Sequence, residues 1–116
     1  MIDGSAVAEI IATYKKYGWL LRRVLLTAQS KAVLLQNNSY IFEGIETIDS
    51  TIDAAWFSRP PSDAPSDDYV AWEIRYLGDF PFALLERVDE KDPKFDNILN
   101  SLELRLRETI SSKISA

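Results

Sequence analysis

The fold is decided by residues 69–88, which read YVAWEIRYLGDFPFALLERV. In the first half, large apolar side chains alternate with small or charged ones, as in a strand that buries one face. The side chains that share the apolar face are Val70, Trp72, Ile74 and Tyr76. Gly78 and Asp79 are turn residues, and a second apolar run begins at Phe80. The pattern predicts a β-hairpin with one face in the core.

The length of the hairpin loop determines which side chains of the returning strand are buried. A two-residue Gly-Asp loop would place Phe82 and Leu84 on the charged face, whereas an odd-numbered loop places them beside Trp72. Burying a large apolar side chain contributes about 1.5–3 kcal/mol, which exceeds the advantage of a two-residue turn. We therefore expect an odd loop, at 77–79 or 78–80, that contains one residue in the left-handed conformation.

Two further segments have the composition of strands. Residues 52–59 alternate between two sets of side chains, one containing Trp56 and the other Phe57, which predicts a half-buried strand. Residues 19–26 are dense in apolar side chains and predict another strand. Arg22 and Arg23 would point to its opposite faces, so we expect this strand at an edge of the sheet.

Helices are predicted near the two ends of the chain. Ser5 is a candidate N-cap for a helix that ends at Gly18. Asp92 followed by Pro93 is a stronger start signal for a second helix. The apolar stripe that follows at helical spacing is Phe95, Ile98, Leu99, Leu102, Leu106 and Ile110.

Residues 28–48 favour neither helix nor strand. Thr27 is a candidate cap for a short helix, and isoleucines at helical spacing are accompanied by Gly44 and β-branched side chains that weaken a helix. With this segment open, the predicted fold is a single α+β domain over residues 1–116. We expect an antiparallel sheet of three to four strands with the N- and C-terminal helices packed on one face.

The composition excludes several classes of chemistry. The 116-residue chain has no histidine and no cysteine, so Ser-His-Asp and Cys-His catalytic groups, Cys/His zinc sites and disulfides are absent. The paired carboxylates along the chain lack metal-ligand or acid/base spacing and are interpreted as solvated surface acids. We expect no catalytic residue, no metal site and no cofactor, and the chain is more consistent with a binding protein than with an enzyme.

Charge and hydropathy limit the partners. The formal net charge is −5, with acidic side chains concentrated between residues 36 and 96, so nucleic-acid binding is not expected. A local basic patch of Lys15, Lys16, Arg22 and Arg23 leaves open whether RNA or an anionic membrane is bound there. No apolar stretch reaches the roughly 20 residues of a membrane span, and a signal-peptide pattern is absent. We expect a cytoplasmic protein.

A partner-binding surface is predicted on the charged face of the strands. Arginines beside apolar side chains are typical of protein interfaces. The predicted partner-binding residues are Phe57, Arg59, Glu73, Arg75, Leu85 and Arg87. The opposite face, which carries Trp56, Trp72, Phe82 and Leu84, is interpreted as core.

Two functions are compatible with these patterns. The first is a non-enzymatic protein-binding or assembly module, homodimeric or chaperone-like, whose partner is another protein or a second copy of the chain. The alternative is a small-molecule-binding protein or weak enzyme with a pocket between sheet and helices. In that alternative Arg59 or Arg75 would hold an anionic group, and Glu73 or Glu86 would carry a proton.

Overall fold

The computed structural model describes residues 3–37, 41–60 and 69–115. Within these ranges it contains three helices and five strands, so the predicted α+β class is confirmed. The helices are α1 (Gly4–Lys16), α2 (Ala28–Asn37) and α3 (Phe95–Ser115). The strands are β1 (Leu20–Leu26), β2 (Glu46–Asp49), β3 (Ala54–Arg59), β4 (Tyr69–Tyr76) and β5 (Ala83–Asp89).

The strands form one mixed sheet in the order β2-β1-β3-β4-β5. β1 and β2 are parallel, and the other neighbouring pairs are antiparallel. The sheet therefore differs from the predicted antiparallel one by the addition of β2, which comes from a segment that the sequence pattern left open. The parallel pairing follows from the connection, because α2 lies between β1 and β2 and a parallel pair needs such a crossover.

The start of α2 is held by side-chain hydrogen bonds. The Thr27 hydroxyl accepts a hydrogen bond from the Ser30 amide at 3.1 Å, which confirms the candidate cap. The Asp53 carboxylate, just before β3, accepts from the Thr27 amide at 2.9 Å and from the Ser30 hydroxyl at 2.7 Å. Asp53 thus fixes the turn between β1 and α2 to the neighbouring strand.

The β4–β5 hairpin has the predicted register. Ile74 lies opposite Leu84, and the Tyr76 amide donates to the Phe82 carbonyl at 2.8 Å. The loop between these last two residues spans 77–81, an odd length that buries Phe82 and Leu84 against the core. It is wider than the expected three residues, and it contains no positive φ, so the prediction of a left-handed residue is wrong. A five-residue loop reverses the chain without the left-handed residue that a three-residue loop typically contains.

The C-terminal helix covers the face predicted to be core. Leu99, Leu102, Leu106 and Ile110 of α3 belong to one buried cluster with Trp56, Trp72 and Ile74. The two indole rings meet edge to face with centroids 6.0 Å apart. The Asp92 carboxylate accepts from the Lys94 amide at 2.8 Å, but α3 begins at Phe95, two residues after the Pro93 of the predicted start signal.

The N-terminal helix lies on the opposite face, which corrects the expectation that both end helices share one face. Val7 of α1 is buried in a second cluster with Val24, Ala55 and Phe57. The reason lies in β3, whose first five residues are all buried, because apolar side chains point to both of its faces. Two apolar faces need two covering layers. The N-cap is Asp3 rather than Ser5, since the Asp3 carboxylate accepts from the Ser5 amide at 3.1 Å.

β1 lies inside the sheet, not at the expected edge. Its pairing with β3 shifts between Leu21 and Arg23, so Arg22 is the extra residue of a β-bulge. The Arg22 guanidinium lies 5.2 Å from the centroid of the Trp72 ring, and Arg23 lies opposite Trp56. Both arginines are therefore on the α3 face, although they were predicted to point to opposite faces. The bulge allows this, because its extra residue interrupts the alternation of side chains along β1.

Candidate functional site

α1 covers only part of its side of the sheet, and the uncovered part is the candidate site. The strand registers align three rows of side chains across it. The rows are Arg59–Ala71–Arg87, Phe57–Glu73–Leu85 and Ala55–Arg75–Ala83. Ala55 and Phe57 are buried beneath α1, whereas the β4 and β5 members are half-buried or exposed. We call the six residues Ala71, Glu73, Arg75, Ala83, Leu85 and Arg87 the open face.

Five of the six predicted partner-binding residues lie on or beside the open face. Leu85 at its centre is 53% exposed, and Arg59 is exposed next to Ala71. Phe57 is the exception, because it is 1% exposed and Tyr14 of α1 stacks on its ring with centroids 4.0 Å apart. The expectation that Phe57 is available to a partner is therefore wrong. The role of the other five residues in partner binding stays a prediction.

Tyr14 connects α1 to the open face. Its hydroxyl donates a hydrogen bond to the Glu73 carboxylate. Burial, followed by this hydrogen bond, raises the pKa of Tyr14 above its ordinary value, so the hydroxyl stays protonated. The Arg75 guanidinium donates to the Tyr76 carbonyl of its own strand. Glu73 and Arg75 thus both have partners within the fold.

Two hollows are lined in part by Tyr14. One has a volume of about 440 Å³ and is lined by Ala6, Glu9, Ile10, Thr13, Tyr14 and Arg75. The other has a volume of about 340 Å³ and is lined by Thr13, Tyr14, Tyr17, Trp19, Arg59 and Glu73. These hollows lie between a helix and the sheet, as the small-molecule alternative requires. Glu86 lies opposite Trp72 and therefore on the other face, so it does not line either hollow.

β5 forms one edge of the sheet. The Phe82 carbonyl accepts a backbone hydrogen bond from Tyr76 at the end of β4. In an antiparallel pair every second residue bonds to the neighbouring strand, so the amides and carbonyls of residues 84, 86 and 88 also point toward β4. Those of residues 83, 85 and 87 point outward, where no described strand pairs with them. The sequence pattern predicted the strand but not its edge position. The adjacent charges of Glu86 and Arg87 were the available signal, since charged side chains are typical of edge strands.

The two halves of the predicted basic patch do not form one surface. Lys15 and Lys16 end α1, whereas Arg22 and Arg23 lie on the α3 side of the sheet.

Among the described residues, no group of three or more acidic side chains is arranged to hold a metal ion. None of the helices in the described ranges combines the length and apolarity needed to cross a membrane. Comparison with protein families, curated proteins and solved structures finds no match.

Proposed function

We propose that the chain is a non-enzymatic assembly module that binds a second copy of itself along the β5 edge. The observation that carries this proposal is a seven-residue edge strand whose outward backbone groups have no partner strand among the described residues. One of its outward-pointing residues, Leu85, is 53% exposed. Strand addition at such an edge supplies backbone hydrogen bonds, and the side chains next to it supply specificity.

Self-pairing is favoured by the charge pattern of β5. In a two-fold antiparallel pair, each residue faces a residue equally far from the centre on the other copy. A pair centred on Leu85 places Leu85 opposite its own copy and Arg87 opposite Ala83. A pair centred on Glu86 or on Arg87 would place like charges directly opposite each other, which is destabilising. The Leu85-centred register avoids both repulsions and places the outward amides of residues 83, 85 and 87 against outward carbonyls.

The same register makes the two open faces continuous. Small side chains at Ala71 and Ala83 keep this surface low around Leu85, so the leucines of the two copies are brought into contact. A single strand edge buries less area than the roughly 800 Å² per partner of a standard interface. We therefore expect a dimer whose population depends on protein concentration.

The mass of the protein in solution tests the proposal. Sedimentation equilibrium over a wide concentration range is expected to show a monomer–dimer equilibrium for the unchanged chain. Leu85→Glu is expected to abolish the dimer, because it places two carboxylates opposite each other at the centre of the pair. Leu104→Glu is the matched control, since Leu104 is 49% exposed on α3, and it should leave the equilibrium unchanged. A chain that remains monomeric at every concentration would overturn the proposed function.

Cysteine cross-linking tests the register separately. The chain has no cysteine, so one introduced thiol can pair only with its own copy. In the Leu85-centred pair, the two Cα atoms at position 85 are about 5.5 Å apart, within the range of a disulfide. The two copies of position 87 are offset by four residues, or about 13 Å. Leu85→Cys should therefore cross-link readily and Arg87→Cys should not, and the reverse result in a dimeric protein would overturn the register alone.

A further inference from the structure

The hollow beside the C-terminal end of α1 combines three aromatic side chains with an arginine. Tyr14 and Tyr17 come from the last turn of α1 and its cap, and Trp19 follows directly. Gly18 lies between Tyr17 and Trp19 with a φ of 88°, a left-handed conformation that favours glycine. The Trp19 ring meets the Tyr14 ring edge to face at 6.0 Å between centroids. We call this site the aromatic hollow.

The charges around the aromatic hollow favour a negatively charged ligand. Arg59 is exposed at the end of β3, and no hydrogen bond or ion pair joins its side chain to another residue in the described ranges. Lys16 does not line the hollow, but its ammonium lies 5.8 Å from the centroid of the Tyr17 ring, which does. The one carboxylate that lines the hollow, Glu73, accepts the hydrogen bond of the Tyr14 hydroxyl. The hollow is therefore lined by one guanidinium without a side-chain partner among the described residues and one carboxylate that already accepts a hydrogen bond, and a second cation lies against one of its aromatic rings.

We propose that the aromatic hollow binds a small aromatic anion, meaning a flat ring that carries a carboxylate or phosphate. The ring would lie against Trp19 and Tyr17, since offset or edge-to-face contacts between rings are favourable. The anionic group would accept hydrogen bonds from the Arg59 guanidinium, whose planar array of donors matches both groups. The volume of about 340 Å³ is at the lower end for small-molecule sites and suits one or two rings. A cationic ligand, which aromatic side chains can also hold, is disfavoured by Arg59 and Lys16.

This site is independent of the proposed dimer, because none of its lining residues lies on β5. It also offers a selective spectroscopic probe. The chain has three tryptophans, and Trp56 and Trp72 are buried on the α3 side of the sheet. Only Trp19 lines the aromatic hollow.

The experiment is a titration of the 5-fluorotryptophan-labelled protein, followed by ¹⁹F NMR. The two probes are 2-naphthoate and phenyl phosphate, and Trp19→Phe assigns the Trp19 signal. We expect a saturable shift of the Trp19 signal with at least one probe, while the Trp56 and Trp72 signals stay in place. Arg59→Gln should weaken binding by roughly tenfold or more, because it removes a charge-assisted contact. Arg105→Gln, an exposed change on α3, is the matched control and should have no effect.

Three results would overturn the proposal. They are the absence of a saturable Trp19 shift with both probes, unchanged probe affinity of the Arg59→Gln variant, and an affinity for the uncharged 2-naphthamide equal to that for 2-naphthoate. Three separate ¹⁹F signals in each arginine variant show that it is folded. If Arg59→Gln fails to fold, Arg59→Lys is measured in its place, because it keeps the charge and loses the planar array of donors. Weaker binding of phenyl phosphate by Arg59→Lys than by the unchanged protein supports the same contact.

Discussion

Replacing Tyr14 with phenylalanine tests the link between α1 and the open face. The substitution keeps the ring that stacks on Phe57 with centroids 4.0 Å apart, and it removes only the hydroxyl that donates to Glu73. A hydrogen bond to a charged acceptor contributes about 1.5–3 kcal/mol when it is shielded from water. Both side chains are half-buried, so water compensates in part, and we expect the free energy of unfolding to fall by about 1–2 kcal/mol.

The loss should depend on pH in a defined direction. Burial and the Glu73 carboxylate raise the pKa of Tyr14 above its ordinary value of 10.0, while the charge of Arg75 opposes them. The unfolded chain therefore releases the Tyr14 proton at a lower pH than the folded chain does. The stabilisation by the hydroxyl is present below about pH 10 and is lost as the pH rises further. The pKa of Tyr76 is also raised, so the variant retains a smaller decline of its own.

Urea unfolding followed by tryptophan fluorescence measures these effects at neutral pH and above pH 10. Glu73→Gln and the double variant complete a cycle that isolates the coupling between the two side chains. Tyr17→Phe is the control, because Tyr17 is 61% exposed and should change stability little. A coupling below about 0.5 kcal/mol, the usual scatter for independent sites, would refute the inference that this contact fastens α1 to the sheet.

Two further substitutions test the packing that positions the site. Asp53→Ala removes the acceptor of the Thr27 amide and the Ser30 hydroxyl, and should lower the free energy of unfolding by about 2–4 kcal/mol in urea titrations; a loss no larger than that of Ser30→Ala would contradict this. Phe57→Ala empties a site that is 1% exposed and should cost about 3–5 kcal/mol. Leu85→Ala, at a side chain 53% exposed, should change the stability of the monomer by less than about 1 kcal/mol. Comparable losses for Phe57→Ala and Leu85→Ala would contradict the burial of Phe57 under α1.

The candidate site was predictable where local periodicity determines it. The alternation in β4 and the odd hairpin loop place Glu73, Arg75, Leu85 and Arg87 on one face, and the register confirms that they share it. Phe57 belongs to the same face by the same alternation, yet it is buried. Alternation shows which side chains share a face, but it does not show how far a helix extends across that face. The aromatic hollow was missed for a related reason, because it depends on where the end of α1 lies relative to β3.

The amino-acid sequence by itself determined the elements formed by contacts between near neighbours. These are the amphipathic α3 with Asp92 before it, the β4–β5 pairing, and the burial of Trp56 and Trp72 on one side. Such features follow from side-chain spacing along a single strand or helix.

The tertiary structure alone decided the arrangement of the layers. β3 is apolar on both faces, so the apolar stripe of α1 could be buried on either side of the sheet. α3 covers the side with the tryptophans, and α1 therefore packs on the other side. The parallel addition of β2 and the bulge at Arg22 likewise depend on strands that are distant in the chain. Burial is a property of the assembled layers, and for this reason the position of Phe57 beneath Tyr14 could not be inferred from either segment alone.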